Sequence, residues 1–312
     1  MIAVLCGGVG AARFLSGLVE VVDPAEILAI VNTGDDTVMH GLSISPDLDT
    51  ITYTLSGKVN PLTGWGLAGD EFSAMDALAA LGGPTWFRLG NLDLATHMFR
   101  SGRLAEGATL SQVTEELGRA FGLGLKLVPM SDQPVRTRLE LLSGEEVSFQ
   151  EYFVKLRHGV AVRRVRFAGA EASSPSPGVL DALASADVIA VAPSNPAVSI
   201  DPILSVPGIR AALQARRDRV VAVSPIVAGA ALKGPADRLL AELGGQATAA
   251  GVARWLRDVI GTLVIDQADA GLCQEVEAAG VACVVTPTVM SEPGVAARLA
   301  GVVISAAGAN CS

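Results

Sequence analysis

Short β-branched apolar runs, each followed by a turn and then a helix-like stretch, recur along this chain. Residues 2–5, 27–31, 188–192, 220–223, 263–266 and 282–285 form six such runs, and each reads as a buried strand. Helical signals fill the gaps. Ser176 followed by Pro177 reads as an N-cap and a first-turn proline ahead of a helix over 178–184. Pro207 opens another over 208–214, and Gly280 stops one over 275–279. Buried strands alternating with helices imply an α/β fold on a doubly wound, mostly parallel sheet.

The middle of the chain breaks this rhythm. Between residues 56 and 123 the strand runs vanish and helix-like segments dominate, punctuated by Asn60-Pro61 and Gly82-Gly83-Pro84. Thr109-x-x-Gln112 has the form of a capping box before a helix over 113–121. Extended pieces follow over 138–142, 147–149 and 161–167. The expected organisation is a discontinuous sheet domain, residues 1–55 plus 168–312, around a largely helical inserted domain over 56–167.

Composition narrows the partners. At 312 residues, half of them apolar, the chain can bury a large core, and its formal net charge is −9. That sign argues against DNA or RNA as the main partner, whereas a small anion needs only one locally basic site. Cys6, Cys273, Cys283 and Cys311 show no metal-like spacing and read as reduced thiols. No basic leader precedes the first strand, and no apolar run reaches the roughly 18–20 residues that cross a bilayer. A cytoplasmic protein without a membrane partner is expected, its tail 308–312 frayed.

In a parallel sheet the loops leaving the strands' C-terminal ends gather on one edge, where ligands bind. Here those loops are Gly7-Gly8-Val9-Gly10, Asn32-Thr33-Gly34-Asp35-Asp36, Pro193-Ser194-Asn195-Pro196 and Ser224-Pro225-Ile226. The first lacks the third small residue of a dinucleotide fingerprint, because Arg13 stands there, and no glycine precedes Lys-Ser or Lys-Thr. What remains is a glycine turn whose amides face an anion at a helix start, with Arg13 as added charge. Asp35, Asp36, Asp47 and Asp49 follow closely; they serve either Mg²⁺ or ordinary capping and turn formation. If Ser45–Asp49 is extended, Asp47 and Asp49 share a side and Leu48 faces away. His97 is either a base or a structural hydrogen-bonder, and Trp65, Phe72 and Trp86 either stack on a flat ligand or fill core. Arg163-Arg164-Val165-Arg166 reads as a solvated strand face.

GGVGAARFLSGL, VNTGDD, SISPDLDTITYTLSG, LATH, LVPMSD, FQEYFV, APSNPAVSIDPILSVPGIR, VSPIV and KGPAD occur in that order over nearly the whole chain. In these blocks the sequence resembles the 2-phospho-L-lactate transferase, or CofD-like, family. The gluconeogenesis-factor proteins are similar in the nucleotide half, but ISPDLDT, LATH and FQEYFV resemble the transferase branch. The resemblance implies a Rossmann-like sheet with an inserted domain, commonly a homodimer, acting in coenzyme F-420 synthesis. It implies transfer of a phospho-acid, 2-phospholactate or phosphoenolpyruvate, from a guanosine diphosphate ester to Fo (7,8-didemethyl-8-hydroxy-5-deazariboflavin). GMP leaves, with Mg²⁺ as cofactor.

By matched motif, Asp49 and Arg88 correspond to the Fo-contacting positions; from the clustered carboxylates beside the glycine loop, Asp49 with Asp36 is expected to hold the metal. Gly7, Gly8, Val9, Gly10, Arg13, Ser194 and Asn195 correspond to the nucleotide site, and Asp49 is the expected catalytic residue. Two departures stand out: Arg88 replaces a lysine of relatives, and Asn91-Leu92 replaces Asp-Arg. The rival from another class is a non-catalytic nucleotide-sugar-binding regulator, which would ignore Fo. An NAD(P) oxidoreductase needs a small residue at Arg13 and an acid at Asn32.

Overall fold

The computed structural model describes residues 1–309; Cys311 and the last three positions of the expected tail lie outside them. Seven parallel strands form the main sheet: β1 Ile2–Cys6, β2 Ile27–Val31, β3 Lys126–Pro129, β4 Val188–Val191, β5 Val220–Val223, β6 Thr262–Ile265 and β7 Ala282–Val285. Their spatial order is 7-6-5-4-1-2-3, so the chain reverses its direction of travel between β1 and β4. The central strands are buried on both faces. Along β1, Ala3 and Leu5 enter one core while Ile2, Val4 and Cys6 enter the other, as period-two alternation requires. The second core is closed by α1, Gly8–Val21, and by the C-terminal helix Val295–Ala309. Truncating a fully buried residue such as Leu5 to alanine would cost about 2–5 kcal/mol.

Strand boundaries move by a residue at most: β1 runs on to Cys6, β4 stops at Val191, and β6 is Thr262–Ile265. Asp266 caps the turn after β6 instead of ending it, accepting from the Ala268 amide at 3.0 Å. Both proline-led helix starts need correction. The helices are Val179–Ser185 and Ile209–Ala215, capped by Gly178 (φ 84°) and Gly208 (φ 91°). Ser176-Pro177-Gly178-Val179 is a turn closed by Val179 N–H to Ser176 O at 3.1 Å, and Ile209 bonds Val206 likewise at 3.2 Å. Proline then glycine suits the two central positions of a type II turn, so each proline sets the turn before the helix. Gly280 does end its helix, Cys273–Ala278, at φ 79°.

Three helices dominate the excursion after β2: α3 Ser73–Ala80, α4 Asn91–Ala105 and α5 Leu110–Ala120; α2, Pro46–Leu55, precedes them. The Thr109/Gln112 capping box is present with both reciprocal bonds. Residues 56–167 nevertheless include β3, which pairs with β2, so a strand of the main sheet interrupts the expected insertion. Its exposed Lys126 and terminal Pro129 suit only an edge position, which hides it in the sequence. Arg136–Leu141, Glu146–Ser148 and Val162–Ala168 form a separate antiparallel sheet. The arginines of its last strand face solvent, where Arg163 pairs Glu140 and Arg166 pairs Glu146. Cys6 is buried, Cys273 and Cys283 are half-buried, and all three are free thiols.

Candidate functional site

The crevice at the reversal between β1 and β4 brings together the two loops expected to hold a nucleotide. Gly8 has φ 75°, a backbone state costly for other residues. A Cβ on Gly10 would lie 2.3 Å from the Pro193 carbonyl oxygen, so this loop touches the Pro193–Pro196 loop backbone to backbone. Ser194 Oγ clamps the contact, accepting from Gly7 N–H at 3.2 Å and donating to Gly7 O at 2.9 Å. Asn195 caps the turn that follows, its Oδ1 accepting from Ala197 N–H at 3.0 Å.

Arg13 projects from α1 into solvent. Lys233, of the KGPAD block, is a cation that sequence reasoning missed. Its Nζ and Val9 Cγ1 lie 2.9 and 3.3 Å from the point where a Gly64 side chain would begin, and Nζ donates to Thr63 O at 3.0 Å. Partial burial, and next the charge of Arg13, hold the Lys233 ammonium below its ordinary value. Two cations thus flank the glycine turn. Among the described residues neither makes an ion pair with a carboxylate.

The aspartates sit differently from the extended expectation. Pro46 occupies the first turn of α2, so Asp47 and Asp49 are helical and point about 200° apart. Asp47 turns to the glycine loop, close to Gly7, and accepts from Asn32 Nδ2 at 2.9 Å. Asp49 turns to α4. Asp36 accepts from Ser45 Oγ at 2.8 Å, while its Oδ1 and that of Asp35 are buried without a hydrogen-bond partner. Burial is the main cause that pushes Asp36 up to about 7 and Asp47 up to about 6, with Asp35 raised as well, further by Asp47. Carboxylates so placed resist ionisation until a cation joins them.

Around Asp49 a second network forms. Arg100, 1% exposed, donates from NH1 to Asp49 Oδ2 at 3.2 Å and from NH2 to Asp49 Oδ1. Its NH1 also lies 3.2 Å from His97 Nδ1 and donates to Ser43 O at 3.3 Å. A guanidinium only donates, so Nδ1 accepts and the proton of the neutral ring is assigned to Nε2. Nε2 lies 3.2 Å from Asp93 Oδ2, off the hydrogen-bond line, and Asp93 Oδ1 accepts from Tyr53 OH at 2.7 Å. Asp49, Asp93 and His97 offer ligand atoms within 4.8 Å of one another.

Sequence reasoning also missed Arg100, Asp93 and Tyr53. The signal was present: Asp93, His97 and Arg100 are spaced four and three apart, one helix stripe. Arg88 lies elsewhere, donating to Asp76 at 3.0 Å with its guanidinium 4.6 Å above the Phe72 ring. Phe72 is therefore a partner of that arginine, Trp86 meets Phe87 edge-on at 6.0 Å, and Trp65 is half-exposed. Asn91 joins α4 to α3 through Ser73 and the Ala74 amide.

A parallel α/β sheet with a glycine turn, two flanking cations and an adjoining carboxylate cluster is an arrangement suited to a phosphate-bearing ligand. The family description 2-phospho-L-lactate transferase CofD matches residues 2–298. The phosphoenolpyruvate transferase of Streptomyces griseus subsp. griseus is 46% identical over 304 residues, covering 96% of each chain. That of Nocardia farcinica is 41% identical over 314 residues, covering 98% of this chain and 95% of its own. Protein BH3568 of Bacillus halodurans superposes with a TM-score of 0.66 over 97% of this chain and 98% of its own; at 18% identity this shows the shared fold. The chain belongs to the CofD family of transferases. Among the described residues no helix is long and apolar enough to cross a membrane.

Proposed function

We propose that the chain moves a phospho-acid from a guanosine diphosphate ester to the terminal ribityl hydroxyl of Fo, in the synthesis of coenzyme F-420. The hydroxyl oxygen forms a bond to the phosphorus that carries the acid, the bond from that phosphorus to GMP breaks, and the hydroxyl proton leaves to solvent. Enolpyruvate is favoured over lactate as the acid by the name of the relatives at 41–46% identity. The observation that carries the reading is the juxtaposition of the Gly7–Gly10 loop with Asp47, Asp36 and Asp35 in one crevice.

The chain's own groups divide the work. Amides at the start of α1 face the diphosphate, and Arg13 and Lys233 supply the opposing charge. Ser194 keeps the two loops in contact. Asp49 accepts the attacking hydroxyl's hydrogen bond and aligns it, since positioning is most of what phosphoryl transfer asks of a protein. Arg88 meets the acceptor's outer end.

Mg²⁺ fits the residues present, because the open Oδ1 atoms of Asp35 and Asp36 are hard donors in want of a cation. Asp36 would hold it with Asp35, while the ligand atoms of Asp49 come together with those of Asp93 and His97, a second place where a cation would fit. When bound, the ion neutralises charge on the diphosphate. A homodimer in the cytoplasm belongs to the same reading. Fluorescence titration with Fo separates it from a nucleotide-binding regulator: saturable binding supports transfer, and indifference to Fo supports the regulator. Asp49→Asn is expected to abolish turnover with GDP affinity held within a few-fold, and normal turnover would remove Asp49 from the mechanism.

A further inference from the structure

We infer that Arg100 is the positioning residue of the acceptor site: it holds Asp49 as a resident counter-cation and so fixes which carboxylate lone pairs meet the attacking hydroxyl. The inference rests on the transferase reading given above. Arg100 is among the largest fully buried side chains. Its two terminal nitrogens take one oxygen each of Asp49, the fork-to-fork arrangement that fixes a carboxylate's plane.

The guanidinium is itself fixed from three sides. Ser43 O takes NH1 from the strand Leu42–Ile44, and His97 Nδ1 takes it from α4. His97 Nε2 lies 3.2 Å from Asp93 Oδ2 without a hydrogen bond between them, and Asp93 is held by Tyr53 from α2. The chain Tyr53–Asp93–His97–Arg100–Asp49 therefore begins and ends on α2, closing a ring through α4. Burying an ion pair yields little net stability against an apolar pair of the same size. What this ring does supply is direction for Asp49. Burial opposes the Arg100 charge, but Asp49 outweighs it and keeps the guanidinium above its ordinary value, aided by Asp36. A lysine would keep the charge and lose the fork.

The test uses the full chain with Mg²⁺, Fo and the guanosine diphosphate ester. Arg100→Ala is expected to lower kcat about 100-fold, the usual loss of one well-placed donor, with GDP affinity unchanged. Millimolar methylguanidinium is expected to restore a large part of it, which a merely structural role would not allow. In the double variant Asp49→Asn/Arg100→Ala, Fo affinity is expected to match that of Asp49→Asn alone, because both residues serve one function. Should Arg100→Ala fail to fold, Arg100→Lys carries the test: bound GDP at wild-type affinity, with kcat reduced. Full kcat in Arg100→Lys, or additive losses without rescue, would overturn the inference. Fo titration gives an arm free of turnover, in which Arg100→Ala weakens Fo binding and methylguanidinium restores it. Wild-type protein that binds Fo but transfers from no donor defeats the transferase reading, while this arm still judges Arg100. Fo affinity that ignores Arg100→Ala contradicts the inference; wild-type protein that binds no Fo contradicts both.

Discussion

Asp36 and Asp201 are both raised by burial, yet they have different consequences. For Asp36 the remedy is a ligand: its Oδ1 is buried without a partner, and burial disfavours ionisation even with Arg136 and Arg100 near. Mn²⁺ as a paramagnetic probe is expected to bind wild-type protein, and Asp36→Asn to weaken it at least about tenfold, the scale of one lost charged ligand. Equal Mn²⁺ affinity in the variant would take Asp36 out of the metal set. For Asp201, whose Oδ2 accepts from Trp255 Nε1 at 2.9 Å, burial lifts the carboxyl to about 6 from 3.8. The folded state then binds the proton more tightly than the unfolded one, so this contribution is complete below pH 3.8 and lost as pH rises through about 6. Asp201→Asn keeps an acceptor for Trp255 and removes the titration. Urea unfolding at pH 7.5 should find it more stable than wild type by at most about 3 kcal/mol, with no difference near pH 3.5. The aspartates near the site were visible in the sequence by type and spacing. For Arg100 the helix stripe with Asp93 and His97 was visible, but its pairing was not, because Asp49 lies 51 positions away and only folding brings the two together.

Local sequence signals and tertiary context compete most openly at the level of elements. Asp47-Leu48-Asp49 alternates like a strand, but Pro46 at the first turn and the apolar Leu48 and Ile51 facing the core make it α2. That one change separates two carboxylates that an extended chain would place together, giving one to the glycine loop and one to α4. The turns led by Pro177 and Pro207 show the same lesson, since a glycine in left-handed conformation takes the cap from the serine or proline before it. The capping box on α5 was legible because all of its bonds are local. The segment over 60–66, by contrast, gains meaning only where Thr63 and Gly64 meet Lys233, 170 residues from Thr63. Lys233→Ala should weaken GDP binding about tenfold, the scale of one charge-assisted hydrogen bond, without lowering the melting temperature. Gly10→Ala should do both, because its Cβ would press on the Pro193 backbone.

For the molecule as a whole, the sheet was the most legible part. Six of its seven strands show as continuous apolar runs, five because both faces are covered and β7 as an apolar edge strand; the seventh hides at the other edge behind Lys126 and Pro129. The reversal between β1 and β4 then decides where ligands go, and the loops brought to it come from positions nearly 190 residues apart. That crevice, with Asp49 and its ring of partners beside it, is where transfer to the deazaflavin is proposed to occur. The most direct measurement is product mass after incubating the protein with Fo, Mg²⁺ and, separately, the guanosine diphosphate esters of enolpyruvate, lactate and glycerate. The expected result is GMP release matched by a new species of Fo plus one phospho-acid, fastest from the enolpyruvyl ester. Unchanged Fo with all three donors would contradict it.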